Sequence, residues 1–213
     1  MISSHEVRWF LEGGVDRHPA LRRWVEEGTA EPKWIGRLGG KPDVYLIVPG
    51  AADMGIKWRE GQLQIKGLES ALGTQRFTGS FEGKVERWIK WGYEGKSVED
   101  AFAPWFKPSS TAPQIVEVHK TRCLRKVRLS PFTPMAIEVD SNTLIDRGGA
   151  LEVTDLRVGA RAFTSVAFEA FPNDSGMHRD FTVFVNAFLG KLNGIELTES
   201  NSMSYPAWLQ SLG

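Results

Sequence analysis

In several stretches of this chain charged or polar residues recur at every second position, and that alternation predicts strands, because side chains two apart share one face of a strand. The first run, His5 to Glu12, puts Val7, Trp9 and Leu11 on one face and Glu6, Arg8 and Phe10 on the other, and Gly13-Gly14 ends it. Further strands are expected at Lys33 to Leu38, Asp43 to Val48, Gly55 to Glu60 and Gln62 to Glu69, with Glu60-Gly61 as a tight hairpin turn between the last two. After breaks at Gly79 and Gly83 the pattern gives an aromatic strand from Lys84 to Tyr93. It then gives a long or bent strand from Gln114 to Leu129, and strands at Met135 to Asp140, Ala150 to Val158 and Ala162 to Phe171. Gly148-Gly149 and Gly159 read as turns.

The period changes to that of a helix in four places. Ala20, Leu21, Trp24 and Val25 recur at helical spacing between Pro19 and Gly28. Ser97-Val98-Glu99-Asp100 opens a short helix that Pro104 and Pro108 close. Met177, Phe181, Phe184, Val185, Phe188 and Leu189 form the apolar stripe of a longer amphipathic helix ending at Gly190, and Tyr205-Pro206-Ala207-Trp208-Leu209 begins a final short one. No linker divides the chain, so one domain is expected over residues 1–213, with a barrel over about 5–171 and C-terminal helices over about 176–212. Closely spaced strands with helices at the margins predict a mainly β (α+β) fold: a closed or nearly closed antiparallel barrel of about eight strands with peripheral helices.

Composition narrows the partners. The chain has 213 residues, 41% of them hydrophobic and 11% aromatic, enough for a packed core. Lys plus Arg equals Asp plus Glu at 26 each, so there is no global attraction to nucleic acid or an anionic membrane, and any anion site must arise locally. The single cysteine, Cys123, suits a reducing compartment and reads as a buried small hydrophobe. No apolar run approaches the roughly 20 residues of a membrane span, and Met1-Ile2-Ser3-Ser4-His5 begins a strand with no leader pattern. A cytoplasmic protein is expected. The oligomeric state has no signature in the sequence.

The candidate chemistry lies in the polar half of the alternation. Glu6 and Arg8, Lys57 and Arg59, Gln64 and Lys66, Lys120 and Arg122, and Glu138 and Asp140 each stand at i, i+2. Lys57 with Arg59, and Lys120 with Arg122, put cations about 7 Å apart on one face, and like charges cluster poorly without a counter-ion. Carboxylates occupy comparable positions at Glu6, Glu86, Glu138, Asp140, Glu152 and Glu169. In a closed barrel the cations could hold polyphosphate oxygens and the carboxylates a hard divalent metal.

The segments Glu6-Val7-Arg8-Trp9-Phe10, Gly55-Ile56-Lys57-Trp58-Arg59-Glu60-Gly61, Gln64-Ile65-Lys66, Lys120-Thr121-Arg122, Ile137-Glu138-Val139-Asp140 and Ala167-Phe168-Glu169 resemble, in their order, the strand motifs of the CYTH-like, or triphosphate tunnel, superfamily. The resemblance spans about Glu6 to Phe171. It implies a tunnel barrel that binds a triphosphate or polyphosphate compound, with Arg8, Lys57, Arg59, Lys66, Lys120 and Arg122 on the phosphates. It also implies Mg²⁺ or Mn²⁺ on Glu6, Glu138, Asp140, Glu152 and Glu169, metal-dependent hydrolysis of the triphosphate, and no organic cofactor. The first strand departs from the family's Glu-x-Glu-x-Lys: it reads Glu6-x-Arg8-x-Phe10, which exchanges a metal-side carboxylate for a guanidinium and a phosphate-side cation for a ring.

Two other readings stay open: a non-catalytic phosphate- or nucleotide-binding module of the same fold, and a protein or nucleic-acid interaction domain whose stripes are a solvated sheet face. Trp88 and Trp91 with Arg87 and Lys90 suit either base stacking or core packing beneath a helix. The histidines lack metal-ligand spacing, and neither a phosphate-cradling Gly-rich loop nor a nucleophile elbow is present.

Overall fold

In the computed structural model, residues 2–28, 33–35, 40–106, 114–130, 132–133 and 135–212 are described. Among them are ten strands: β1 (Ile2–Glu12), β2 (Lys33–Ile35), β3 (Asp43–Leu46), β4 (Met54–Arg59), β5 (Gln62–Arg76), β6 (Glu82–Tyr93), β7 (Ile115–Leu129), β8 (Ala136–Val139), β9 (Gly148–Val158) and β10 (Arg161–Phe171). Four α-helices accompany them: α1 (Pro19–Glu26), α2 (Lys96–Phe102), α3 (Met177–Leu189) and α4 (Tyr205–Gln210). The remainder of the predicted Lys33 to Leu38 strand, residues 36–38, and the predicted stop at Pro108 lie outside the described residues.

Eight strands close into an antiparallel barrel in the order β7-β3-β4-β5-β6-β1-β10-β9, and β9 pairs back onto β7. β2 and β8 add to the β7 edge beyond β3, opposite Arg122 to Leu124 and Lys126 to Leu129. The β4–β5 hairpin turns as expected: Glu60 and Gly61 both take positive φ, 50° and 82°, the geometry of a two-residue turn matched to strand twist. β5 runs on past the predicted end at Glu69 to Arg76. Register shifts after Leu68 and Ala71 let it bend while staying paired with β6, and Gly73 takes the left-handed φ of 84° that a side chain would resist.

The main core lies outside the barrel wall. Val7 and Trp9 of β1, Leu151 and Val153 of β9, and Val166, Phe168 and Ala170 of β10 face outward and bury against Leu21, Trp24 and Val25 of α1 and the phenylalanines of α3. Phe168 meets Phe184 edge-on at 5.2 Å. Each such fully buried side chain contributes about 1.5–3 kcal/mol. Gly148 and Gly149 begin β9 rather than forming the expected turn. A Cβ on Gly149 would fall 2.8 Å from the Phe184 ring and 2.6 Å from the Glu169 carbonyl oxygen, so glycine there lets α3 seat.

A second apolar cluster fills one end of the barrel from within, where Phe10, Tyr45, Ile47, Val118, Leu156 and Phe163 enclose Trp208 and Leu209 of α4. Trp208 stacks on Phe10 at 4.5 Å with the rings 5° apart. The chain reaches this position through a split in the wall. β1 and β6 pair only from Ile2 to Val7, and beyond that point the C-terminal segment bridges them. Glu82 N–H donates to the Leu197 carbonyl at 2.9 Å and Lys84 N–H to Ser202 Oγ at 2.8 Å. On the other side, Ser202 Oγ and Met203 N–H donate to the Arg8 carbonyl at 3.0 and 3.1 Å. The plugged barrel is therefore a cup lined by inward-facing side chains.

Candidate anion-binding cavity

Register decides which stripes meet. Glu6 lies opposite Glu169 on one side and Glu86 on the other, Lys57 opposite Tyr45 and Gln64, Lys66 opposite Lys90, and Arg122 opposite Thr154. All of these positions share the inward face, so the stripes surround a lumen rather than an open sheet surface. The cavity offers about 170 Å³ of water-accessible space, room for on the order of ten waters. Among the described residues its lining carries six cations, Arg8, Lys57, Lys66, Lys90, Lys120 and Arg122, against three carboxylates, Glu6, Glu152 and Glu169.

The charges form two groups. In the first, Glu6 pairs with Lys66 and accepts from Arg8 Nε at 3.0 Å, while Glu152 accepts from Arg8 Nη1 and from Arg122 Nη1, each at 3.2 Å, and from Thr154 Oγ1 at 2.9 Å. Burial pushes the Glu6 carboxyl up, but Lys66 and Arg8 outweigh it and hold it at about 2. Burial likewise opposes Arg8, Arg122 and Lys120 at Glu152, and the cations again win, at about 2. The second group centres on Asp43. Lys57 Nζ and Lys120 Nζ approach its Oδ2 at 3.3 and 3.1 Å, and Arg59 Nε approaches Oδ1 at 3.5 Å. Burial lowers the affinity of both Lys57 and Lys120 for their protons despite Asp43, and Lys120 falls to about 7. Tyr45 and Tyr205 stack at 5.0 Å beside this group.

Of the six expected phosphate-side cations, Arg8, Lys57, Lys66, Lys120 and Arg122 line the cavity, whereas Arg59 is spent on Asp43 and Glu60 behind Lys57. Of the five expected metal-side carboxylates, Glu6, Glu152 and Glu169 line it, and Glu138 and Asp140 lie away from it. Glu138 pairs in register with Val127, which places it on the outer face, where it binds the buried Arg125 guanidinium at 2.5 Å beneath α1. Asp140 follows β8 in an exposed turn and accepts from the Asn142 N–H at 2.9 Å. Trp88 and Trp91 point to opposite faces: Trp88 is buried under Lys66, and Trp91 packs on Gly67, so they form no joint stacking platform. Asp43, Tyr45, Lys90, Thr154 and Tyr205 belong to the site and were not singled out as site residues by sequence. Asp43 and Tyr45 do share an alternating face, while Tyr205 carries no periodic signal toward the lumen.

The residues present do not fit a resident divalent ion. Among the described residues no three His, Cys, Asp or Glu side chains are grouped to hold a metal. Glu6 and Glu152 each already bind two cations, with the Arg8 guanidinium lodged between them, and Glu169 accepts from Ser4 Oγ at 2.7 Å.

No helix among the described residues is long and apolar enough to cross a membrane. No protein-family model and no curated protein matches the chain. Among solved structures, the chain is similar to one described as conserved hypothetical protein Pfu-838710-001 from Pyrococcus furiosus, at 16% identity and a TM-score of 0.41, with 95% of this chain and 98% of that one covered.

Proposed function

We propose that the protein is a divergent CYTH-like barrel that binds a triphosphate- or polyphosphate-containing small molecule in its lumen, and that it does so without a divalent metal. The observation that carries this reading is the convergence of six cations from five strands on one cavity, in excess over the carboxylates beside them. Ammonium and guanidinium donors at several heights of the lumen match an elongated polyanion, and low local dielectric strengthens each contact. The ion pairs within the lumen hold these side chains in place before a ligand arrives, and incoming phosphate oxygens exchange for carboxylate oxygens. Arg8 does the work of neutralising Glu6 and Glu152 that a metal does elsewhere in the family. Hydrolysis is the second reading: it rests on the same cavity, but no described group is placed to hold an ion that would position water.

Calorimetric titration with inorganic triphosphate tests both readings. Binding that is equal in EDTA and in Mg²⁺, weakened about tenfold or more by Lys66→Ala or Arg122→Ala, and unaccompanied by phosphate release supports the metal-free binding module. Binding that requires Mg²⁺ or Mn²⁺ with phosphate release favours the hydrolase. No binding in either condition overturns the polyanion reading.

A further inference from the structure

Lys120 differs from the other cations of the cavity. It shares the one oxygen Asp43 Oδ2 with Lys57, while Arg59 takes the other oxygen, so three cations stand on a single carboxylate. Its Nζ also lies over two rings, 4.1 Å from the Tyr205 centroid and 4.9 Å from that of Tyr45, and donates to the Tyr45 hydroxyl at 2.5 Å. Rings and shared counter-ion replace most of the water an ammonium needs, yet the side chain is 16% exposed and lines the cavity. The Tyr205 hydroxyl is buried and belongs to the same lining, beside the Tyr45 hydroxyl. A desolvated amine beside a second cation is the setting in which lysine becomes a nucleophile.

We propose that Lys120 is a reactive amine that condenses with the carbonyl of a small phosphorylated aldehyde, the phosphate being held by Arg8 and Arg122. For that phosphate anchor the proposal rests on the anion-site reading above. Neutral Lys120 Nζ attacks the carbonyl carbon, a C–N bond forms, and the carbonyl π pair moves to oxygen. The proton lost by nitrogen passes to that oxygen by way of the Tyr45 hydroxyl, which also faces Asp43 Oδ2 at 3.5 Å. The carbinolamine then loses water, leaving a C=N imine, so amine and aldehyde give imine and water with no oxidant. The Tyr205 hydroxyl, beside that of Tyr45, supplies a second donor for the carbonyl oxygen.

The groups facing Lys120 are Asp43 and Tyr45 from β3, Lys57 from β4, Glu152 from β9 and Tyr205 from α4, with Arg122 beside it on β7, while Arg59 of β4 binds the other oxygen of Asp43. Burial lowers its proton affinity, Lys57 reinforces the effect, and Asp43 and Glu152 oppose it, leaving the amine at about 7.

The test treats the full chain with pyridoxal 5′-phosphate as the probe, reduces with borohydride, and maps the adduct by peptide mass spectrometry. The expected result is a dominant adduct on Lys120, formed at a rate that rises through pH about 7, where an ordinary lysine would need pH near 10.5. Pyridoxal without the phosphate should react about tenfold more slowly. Label spread over surface lysines, label on Lys57 or Lys66 with Lys120 unmodified, or a rate rising only near pH 10 overturns the proposal. Equal rates for pyridoxal overturn the phosphate anchor. Lys120→Arg should abolish the adduct at an unchanged unfolding midpoint, and if that variant does not fold, the wild-type pH profile decides. Inorganic triphosphate separates the two readings. An adduct on Lys120 that triphosphate neither blocks nor slows sinks the polyphosphate reading and keeps this one. Triphosphate binding by calorimetry with no Lys120 adduct does the reverse.

Discussion

Arg8 on β1 reaches across β10 to Glu152 on β9, its Nη1 donating to Glu152 Oε1 at 3.2 Å while its Nε holds Glu6 at 3.0 Å. One guanidinium thus joins two carboxylates from strands that are not neighbours, and Ser165 Oγ of β10 accepts from the same Nη1 at 3.3 Å on the way. Removing one partner of a buried pair costs more than the pair contributes, because the other charge is left in a poorly solvated place. Arg8→Gln is therefore expected to lower unfolding free energy by about 3–5 kcal/mol, measured by urea denaturation at neutral pH. Adding Glu152→Gln should recover part of that loss, and strict additivity of the two changes would show the pair to be uncoupled.

Acid should reveal the same network. Glu6 and Glu152 are held at about 2 in the folded protein against an ordinary value of 4.5. A depressed folded-state value means stability that is fully present above about pH 4.5 and is lost as pH falls toward 2. The denaturation midpoint is expected to fall steeply over that window, and Glu152→Gln should flatten the fall. A midpoint constant from pH 5 to pH 2.5 would remove the basis for the buried network.

Asp43 offers a change of opposite sign for binding and stability. It is the common counter-ion of Lys57, Lys120 and Arg59, and in the proposed reading a phosphate would compete with it for those groups. Asp43→Asn is expected to destabilise the free protein by a few kcal/mol and to raise affinity for inorganic triphosphate about tenfold. Saturating ligand should therefore raise the thermal midpoint more in the variant than in the wild type. Weaker binding by the variant would mean that Asp43 orients the cations rather than competing for them.

The parts of this site that sequence made legible are those in which period and face coincide within one strand. Lys57 with Arg59, and Lys120 with Arg122, share a face whatever the register, and such clustering of like charge calls for counter-ions, as in an enclosed lumen. The face of Glu138 depends on which β7 residue it opposes, which no local pattern gives, and pairing with Val127 turns it outward to Arg125. Asp43 has no such signature, because a single carboxylate followed by Tyr45 and Ile47 makes no charged stripe, although three cations meet on it. Tyr205 is set by a long-range event, the passage of the C-terminal segment through the gap between β1 and β6, which leaves no local pattern in the sequence.

That passage puts Trp208 and Phe10 in the same test. Trp208 is 3% exposed, stacked on Phe10 and edge-on to Phe163 at 5.3 Å and Tyr205 at 5.1 Å. Trp208→Ala should cost about 3–5 kcal/mol and also weaken triphosphate binding, because Tyr205 loses its support beside Lys120. Phe10→Lys would install the residue that the first-strand motif of the CYTH-like proteins it resembles has at this position, but here its ammonium would lie under the Trp208 ring in an apolar cluster. An unpaired charge in such a place is disfavoured by several kcal/mol, so this variant should be destabilised and should gain no affinity for triphosphate. A folded Phe10→Lys variant that binds triphosphate more tightly than the wild type would show the plugged end to be open to ligand, and would move the lower boundary of the site to the α4 helix.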